Sequence, residues 1–422
     1  MEKSINKQRI LFVDDEQNVL SSLRRMLRGK RNEWDMHFVQ SGREALEILA
    51  SMRFDVLVSD IKMPEMSGDI LLEKTCELYP SIIRIALSGQ VSLDEVVSGI
   101  KSVHQYISKP CSAEDLIERI ESTLSMKNVV TDPALQNLLS QIDALPVLPD
   151  LYVAIEKELA KDFASIDRIS ELVTQDIALV AKILKLVNSP FFAFSRKIEN
   201  INQAITLLGI ETFKSLILST HLFTIHDSSM VPGFSLKSLW EHSFRVSTFA
   251  ALIARSGDND IEFIGRCRMA GLLHDVGKLV LVSKCSEQYN DVLKLVREDV
   301  FSIHEAERQI FGTSHCEVGS YLLGLWGLSK DIIEGIWRHN KPVVGQGLIA
   351  DIITAANMFD HKSFVFNENY GNKEFSCDMP EFKNIIEKLP VWVRFIQNNW
   401  DDLLEHPCFR QDYFNKLLDC GG

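Results

Sequence analysis

A chain of 422 residues, of which 46% are apolar, exceeds one ordinary hydrophobic core and predicts two or three domains. The net charge of −13 argues against a nucleic-acid-binding surface, because such a surface neutralises phosphates with clustered lysine and arginine. Apolar runs fall short of the ~20 residues that span a bilayer, and the N-terminal residues lack the apolar core of a signal peptide.

Two patterns alternate in the N-terminal part of the chain. Short apolar runs predict buried strands, and amphipathic stretches between them predict helices. The runs are Ile10–Val13, Phe54–Ser59, Ile82–Leu87 and Tyr106–Ser108. The amphipathic stretches are Val19–Leu27, Glu44–Met52, Ile70–Leu78 and a last helix over Ala113–Leu124 that continues toward Val130. Such alternation predicts an α/β fold with a parallel sheet.

Polar residues stand at the ends of these predicted strands: Asp14 and Asp15, then Asp60, Ser88 and Lys109. Because the carboxyl ends of parallel strands meet at one crevice, we expect these side chains to converge. Three carboxylates, a hydroxyl and an ammonium suit a hard cation and a transferred phosphoryl group. In such a site Asp60 would accept phosphate as an acyl phosphate, and Lys109 would contact it as a point charge.

Residues 7–128 resemble the receiver domain of two-component response regulators. The resemblance is carried by Asp14-Asp15, Asp60-Ile61-Lys62-Met63-Pro64-Glu65-Met66-Ser67-Gly68, Ser88-Gly89, Tyr106 and Lys109-Pro110. It implies a flavodoxin-like, doubly wound sheet of five parallel strands and phosphorylation of Asp60 by a partner histidine kinase. It also implies Mg²⁺ held by Asp14, Asp15 and Asp60, and a phosphate contact from Lys109. Ser88 and Tyr106 correspond to the pair that relays phosphorylation to the outer face.

Strand patterns disappear after Thr131-Asp132-Pro133, where we place the first domain boundary. One helix is predicted from Ile166 to Val187, with Ser165 as its N-cap. Further helices are predicted over Ile201–Leu208, Glu211–Phe223, Leu239–Arg255, Ile261–Leu273, Tyr289–Arg297, Ile303–Phe311, Glu317–Trp326, Lys330–Arg338, Leu348–Phe359, Pro380–Lys388 and Trp392–Leu404. Residues 131–422 are therefore predicted to be all-helical.

Several residues of this helical half could gather around a metal. They are His242, the adjacent pair His274-Asp275, His315 and His339. Histidine nitrogens and an aspartate oxygen are ligands for a divalent cation that activates water. Lys278 follows closely and could meet a phosphate.

The cysteines give a different prediction. All eight are scattered without a Cys-x-x-Cys pair, which indicates reduced thiols in a cytoplasmic protein. Cys316 stands beside the candidate ligand His315, and we predict that it is a small buried hydrophobe.

The segment Gly271-Leu272-Leu273-His274-Asp275-Val276-Gly277-Lys278 resembles the HD phosphohydrolase superfamily. Longer motifs resemble the HDOD family, a relative found in bacterial signalling outputs, over roughly residues 135–365. These motifs are Leu145-Pro146-Val147-Leu148-Pro149, Gln175-Asp176, Leu186–Phe192 and Gln203–Gly209. The predicted domains are a receiver (1–128), an HDOD output domain (129–366) and a helical C-terminal extension (367–422). The output domain divides into an N-terminal helical part (129–232) and an HD-like part (233–366).

Two departures from the HD phosphodiesterase pattern predict a degenerate site. Asn340 follows His339 where those enzymes have a second histidine, and Asn357 aligns with their late aspartate. Neutral amides hold a cation and its water less well than carboxylate or imidazole ligands. Asp351 or Asp360 would compensate if the register is shifted. A Gly-Tyr-Pro signature does not follow His339, so the cyclic-di-GMP-cleaving HD-GYP subfamily is a poor match.

Three functions compete. The first is a cytoplasmic response regulator whose phosphorylation switches a non-catalytic HDOD module that regulates a partner protein, in cyclic-dinucleotide signalling. The second is a metal-dependent phosphohydrolase controlled by the receiver. The third, a DNA-binding regulator suggested by the helix–Gly–helix pattern of Ile201–Phe223, is disfavoured because the second helix is apolar and Lys214 is its only formal cation. The predicted partners are a histidine kinase, a downstream protein and a second copy of the chain, without nucleic acid or membrane insertion.

Overall fold

The structure is a computed structural model that divides into two compact units. The first comprises Met1–Asp143, Lys185–Ile198 and Gly324–Gly327, and the second comprises Ala144–Leu184, Glu199–Leu323 and Leu328–Gly422. The structure describes residues 7–88, 102–127, 135, 139, 146–147, 154–155, 157–159, 161, 164–188, 197–209, 213, 224–225, 231–257, 259–298, 301–340, 348–363, 383–399 and 415. The predicted helix over Glu211–Phe223, apart from Phe213, lies outside these residues.

A five-stranded parallel sheet forms the centre of the N-terminal unit, in the order β2-β1-β3-β4-β5. Its strands are β1 (Gln8–Val13), β2 (Trp34–Val39), β3 (Val56–Asp60), β4 (Ile83–Ser88) and β5 (Gln105–Ser108). The described helices between and after them are α1 (Gln17–Met26), α2 (Gly42–Ser51), α3 (Gly68–Leu78) and α4 (Ala113–Lys127). This arrangement confirms the predicted flavodoxin-like receiver fold.

Continuous burial explains why the sequence of this sheet is so apolar. All five residues of β3 are buried, and so are the last four of β1, because helices cover both faces of a parallel sheet. The strands keep a simple register, in which Val13 pairs with Ser59 and Asp60 pairs with Leu87. The acidic residues that follow β1 and end β3 therefore stand at the same edge of the sheet.

The C-terminal unit is mostly helical, as predicted. Its first described helices are α5 (Ile166–Thr174), α6 (Ile177–Val187) and α7 (Ile201–Leu208). The long α8 (Leu236–Ser256) is followed by α9 (Ile261–Leu273), α10 (Val276–Lys284), α11 (Ser286–Arg297), α12 (Ile303–Phe311), α13 (His315–Leu325), α14 (Lys330–Arg338), α15 (Leu348–Ser363), α16 (Lys383–Ile386) and α17 (Leu389–Asn399). Among the described residues, no helix is both long and apolar enough to cross a bilayer.

Three local features differ from the prediction. The helix expected from Ile166 to Val187 is two helices, because the side chain of Asp176 accepts a hydrogen bond from the Leu179 amide (3.0 Å) and caps α6. A short parallel pair, β6 (Pro146–Val147) and β7 (Thr224–Ile225), interrupts the all-helical half. Two-residue strands are too short to show a period of two. Helix α10 was not predicted because seven of its residues are buried in succession, which hides helical spacing.

Candidate functional site

Acidic and basic side chains meet at the carboxyl ends of the receiver strands. Asp60 is the last residue of β3, Asp14 follows β1, and Lys109 follows β5. The Lys109 ammonium donates to Asp14 Oδ2 at 2.6 Å and also to Asp60 Oδ1. Asp14 and Asp60 are both buried, with 1% and 8% of their surface exposed. The structure thus brings together three of the residues that the sequence placed at one edge.

The two other strand-end residues are less fully described. Asp15 is partly exposed next to Asp14 in the chain. Ser88 ends β4 and pairs with Ser108 of β5, and its side chain lies outside the described residues. Tyr106 is buried in the receiver core at 7% exposure, and burial raises the pKa of its phenol above the ordinary value. The role of Ser88 and Tyr106 as a relay stays a prediction.

Backbone contacts fix the direction of the two buried carboxylates. The amide of Glu16 donates to Asp14 Oδ1 at 3.0 Å, and the amide of Lys62 donates to Asp60 Oδ2 at 2.9 Å. Gly68, at the start of α3, lies so close to the backbone carbonyl of Asp60 that a Cβ atom there would overlap it. The glycine of the predicted motif is therefore a packing requirement behind Asp60.

Electrostatics hold this network together. Burial raises the pKa of Asp60 above the ordinary value, although hydrogen bonding to Lys109 opposes the shift. Burial by itself would lower the pKa of Lys109, but hydrogen bonds to Asp14 and Asp60 outweigh it and raise that pKa. Hard carboxylate oxygens are the ligands that Mg²⁺ prefers, so the donor set fits this ion. Asp14, Asp15 and Asp60 would hold it, and it would offset the charge of an incoming phosphoryl group.

A second constellation lies in the helical unit. His242 is on α8, His274 and Asp275 join α9 to α10, His315 begins α13, and His339 follows α14. All five side chains are buried. Asp275 is central, with Oδ1 lying 3.3 Å from His315 Nε2 and 3.9 Å from His339 Nε2. Its Oδ2 lies 3.5 Å from Nε2 of both His242 and His274.

Every histidine of this constellation turns the same ring nitrogen inward. In each ring Nδ1 contacts an oxygen acceptor outside the cluster, which places a proton on Nδ1 and directs Nε2 toward the other members of the cluster. The acceptors are Asp360 Oδ2 for His242 (2.6 Å), the Gly271 carbonyl for His274 (2.7 Å), Glu307 Oε2 for His315 (2.5 Å) and the Ile336 carbonyl for His339 (2.6 Å). Outer acceptors of this kind orient metal-binding histidines.

The inward nitrogens are close to one another. His242 Nε2 and His274 Nε2 are 3.1 Å apart, and His315 Nε2 and His339 Nε2 are 3.4 Å apart. Two lone pairs at such distances need a proton or a cation between them. Burial lowers the pKa of His274 to about 3 and that of His339 well below the ordinary value, so both rings are neutral at pH 7.

Positive charge in the cluster resides on other groups. Lys278 donates to Asp275 Oδ2 at 2.7 Å. Although burial opposes it, Cys316 and Glu307 raise the pKa of His315 well above the ordinary value. His274 and Lys278 hold the pKa of Asp275 well below its ordinary value, despite burial.

The structure also shows where the residues lie that decided the prediction of a degenerate HD-like site. Asp360 is fully buried, bonds to Nδ1 of His242, and accepts from Arg245 Nε at 2.6 Å, so it orients His242. Asn357 is buried, and its Oδ1 has no hydrogen-bond partner among the described residues. Asp351 is half-buried at the start of α15, and burial raises its pKa. Asn340 contacts His315 Nε2 at 3.3 Å.

Sequence reasoning missed Glu307 and Arg245, which hold the cluster from outside. Glu307 is fully buried on α12. The signal was available, because Glu307 lies one helical turn from Ile303 on the apolar side of the predicted helix, where an acidic residue needs a partner.

The donor set of the cluster fits a divalent cation. Asp275 Oδ1 is buried and has no hydrogen-bond partner among the described residues, although two imidazoles face it. An unpaired buried carboxylate oxygen is costly unless a positive charge satisfies it. Imidazole nitrogen and carboxylate oxygen suit zinc and similar first-row metals.

Family comparisons agree with the two units. A model of the response regulator receiver domain matches residues 10–121, and a model of the HDOD domain matches residues 145–342. The chain therefore joins a receiver domain to an HDOD domain, which is the organisation of a response regulator with an HDOD output domain.

Individual relatives match parts of the chain. An uncharacterized protein of Treponema pallidum (strain Nichols) is 27% identical over 207 residues, which are 49% of this chain and 40% of that protein. Response regulator MprA of Mycolicibacterium vanbaalenii is 34% identical over 117 residues, which are 28% of this chain and 50% of MprA. This chain thus spans half or less of the length of these relatives. The solved MmoQ response regulator from Methylococcus capsulatus is 24% identical, with a TM-score of 0.45 over 52% of this chain and 87% of MmoQ.

Proposed function

We propose that the protein is a phosphorylation-controlled response regulator in which Asp60 accepts a phosphoryl group from a histidine kinase. The network of Asp14, Asp60 and Lys109 at the strand ends is the observation that supports this proposal. A carboxylate oxygen of Asp60 attacks the phosphoryl group, and the donor histidine leaves. Lys109 then neutralises charge on the transferred group, since its ammonium already contacts both carboxylates.

Phosphoryl labelling tests this assignment. Full-length protein incubated with acetyl phosphate and Mg²⁺ should gain one phosphoryl group by intact-mass spectrometry, and Asp60→Asn should abolish the gain. Asp55→Asn is the matched control, because Asp55 immediately precedes β3, where it accepts from the Arg9 amide (2.8 Å) far from the network. Retained labelling in Asp60→Asn, or loss in Asp55→Asn alone, would contradict the assignment.

The HDOD domain is the proposed output. Phosphorylation changes how this domain binds a downstream protein of cyclic-dinucleotide signalling, and the domain itself does not catalyse hydrolysis. The two amides support this view, because Asn340 and Asn357 align, by resemblance, with metal ligands of HD phosphodiesterases. A pull-down with phosphorylated wild type and with Asp60→Asn should capture different partners. Identical partner sets would remove the switching role.

One observation favours a second candidate, a metal-dependent phosphohydrolase. The inward Nε2 atoms of His242, His274, His315 and His339 around Asp275 form a donor set that a purely structural cluster does not require. In such an enzyme a bound metal would activate water. Hydrolysis of a cyclic dinucleotide that disappears in His274→Ala would support this candidate, and an inert metal-loaded protein would exclude it.

A further inference from the structure

One polar side chain is buried on the last strand of the receiver sheet. Gln105 begins β5, the strand that ends the sheet order, and it is 5% exposed. Successive side chains of a strand point to opposite faces, so Tyr106 enters the receiver core while Gln105 faces the other side. There its Nε2 lies 2.8 Å from Thr123 Oγ1 of α4. A buried amide has further hydrogen-bonding groups that need partners.

The second partner of Gln105 comes from a distant part of the chain. Its Nε2 also donates to the Gly324 carbonyl at 3.1 Å, although the two residues are 219 positions apart. Gly324–Gly327 lie within the match to the HDOD domain, yet they belong to the same compact unit as the receiver sheet. Leu325 and Trp326, between the two glycines, are buried. This turn is therefore packed as a part of the first unit.

The turn is the C-terminal cap of α13. The Gly327 amide donates to the Gly324 carbonyl at 3.0 Å. The Leu328 amide donates to the Leu323 carbonyl at 3.1 Å. These two bonds form a Schellman motif, in which Gly327 has the positive φ of 79° that the motif requires. Since a carbonyl oxygen has two lone pairs, Gly324 can accept from Gly327 and Gln105 together.

Neighbouring bonds fix the direction of the Gln105 amide. Thr123 Oγ1 donates its proton to the Arg119 carbonyl at 2.6 Å, so toward Gln105 it can only accept. The Gly324 carbonyl is also an acceptor, so the group that faces both is the NH2 of Gln105. Its Oε1 is buried without a hydrogen-bond partner among the described residues. An unpaired buried oxygen costs free energy, so the closed contact is favoured only modestly.

We propose that Gln105 anchors the C-terminal end of α13 to β5, and that phosphorylation of Asp60 releases it. The release rests on the proposed function of Asp60. Lys109 directly follows β5, and its ammonium contacts Asp14 and Asp60. A phosphoryl group on Asp60 attracts this ammonium and displaces the end of β5 that carries it. A displacement of about 0.5 Å takes the 3.1 Å contact beyond the range of a hydrogen bond.

The released element is then α13. This helix begins at His315 and ends at Leu325, one residue beyond the anchored carbonyl. Small shifts of a whole helix are a common way in which proteins change between two states. Phosphorylation would thus act on the HDOD domain by freeing one end of one helix.

Hydrogen–deuterium exchange of the full-length chain, without acetyl phosphate, tests the anchor. Gln105→Met removes the amide at similar side-chain length, and it should speed exchange in residues 324–328 about fivefold, the effect of one hydrogen bond on an opening equilibrium. Thr75→Val is the matched control, because Thr75 is a fully buried receiver residue that donates to the Leu71 carbonyl of its own helix, α3. It should leave exchange in residues 324–328 unchanged. Wild-type exchange in Gln105→Met would overturn the anchor.

Acetyl phosphate tests the release on the unaltered chain. The Asp60 carboxylate displaces acetate from the phosphorus, and phosphorylated wild type should exchange residues 324–328 as fast as unphosphorylated Gln105→Met. Fully phosphorylated wild type with unchanged exchange there would overturn the release, even if Gln105→Met fails to fold. A chain that gains no phosphoryl group would overturn the proposed function and the release together. The comparison without acetyl phosphate separately decides the anchor.

Discussion

Buried carboxylates outside the histidine cluster around Asp275 set the direction of its histidines. Asp360 lies between Nδ1 of His242 and the guanidinium of Arg245, both within 2.6 Å. Arg245 and His242 hold the pKa of the Asp360 carboxyl below its ordinary value, although burial opposes this shift. The charge of Asp360 is therefore part of the folded structure.

Asp360→Asn should lower the free energy of unfolding at pH 7 by roughly 3–5 kcal/mol, because it removes the buried carboxylate that pairs with Arg245 and His242. A carboxyl whose pKa is lower in the folded state stabilises the protein above its unfolded pKa, and this contribution is lost as pH falls through the folded pKa. The difference between wild type and variant should thus be complete at pH 7 and narrow below about pH 4. Urea unfolding across this range measures it.

Asp291→Asn supplies the control for this pH series. Asp291 and Lys294 form an exposed ion pair on α11, so its loss should change the free energy of unfolding by less than about 1 kcal/mol. Equal losses in the two variants at pH 7 would show that Asp360 is not an essential buried charge.

Close contact between two helices positions the centre of the cluster. Helices α10 and α13 approach backbone to backbone, because a Cβ atom on Gly277 would overlap the carbonyl of His315 and lie 2.8 Å from the amide of Gly319. This approach brings Asp275, at the start of α10, against His315, at the start of α13. Glycine is needed at position 277, because a side chain there would overlap the backbone of α13.

Gly277→Ala should therefore separate α10 from α13 and lower the free energy of unfolding by about 3 kcal/mol, since backbone cannot move aside as a flexible side chain can. Gly265→Ala on α9 is the control, because its nearest neighbour would be the Asn200 side-chain nitrogen at an ordinary 3.8 Å. That variant should be unchanged or gain up to about 1 kcal/mol from reduced unfolded-state entropy. Thermal unfolding followed by circular dichroism distinguishes the two, and equal stabilities would disprove the tight contact.

Phosphorylation of the receiver can regulate the HDOD domain only if it changes the interaction free energies of both domains. A switch requires different interaction free energies in its two states, whichever state is more populated beforehand. Phosphorylation of Asp60 would add negative charge to a chain whose net charge is already −13.

Hydrogen–deuterium exchange should detect this coupling. Acetyl phosphate should alter amide exchange in peptides of residues 231–340 as well as in the receiver, and Asp60→Asn should abolish both changes. A change confined to receiver peptides would show that the domains are energetically independent. Wild type with acetate in place of acetyl phosphate controls for the buffer.

The receiver site could be predicted from the sequence because short, local sequence patterns mark its residues. Each apolar strand ends at a polar residue, and parallel strands align these ends, so Asp14, Asp60 and Lys109 could be placed together without coordinates. The boundary between α5 and α6 was missed, because apolar residues keep helical spacing across it while the side chain of Asp176 caps a new helix.

The histidine cluster of the helical unit could be predicted only in part from the sequence. Its histidines were found from their types, but helical spacing does not reveal which ring nitrogen faces inward or which distant residue holds it. His242 and Asp360 are 118 residues apart in the chain, and Glu307 reaches His315 from another helix. Cys316 is buried, and its sulfur lies 3.8 Å from His339 Nε2, a proximity that its position in the sequence does not reveal. Motifs and strand ends follow from the order of residues, whereas ligand direction and donor separation arise from helix packing, which brings together residues far apart in the chain.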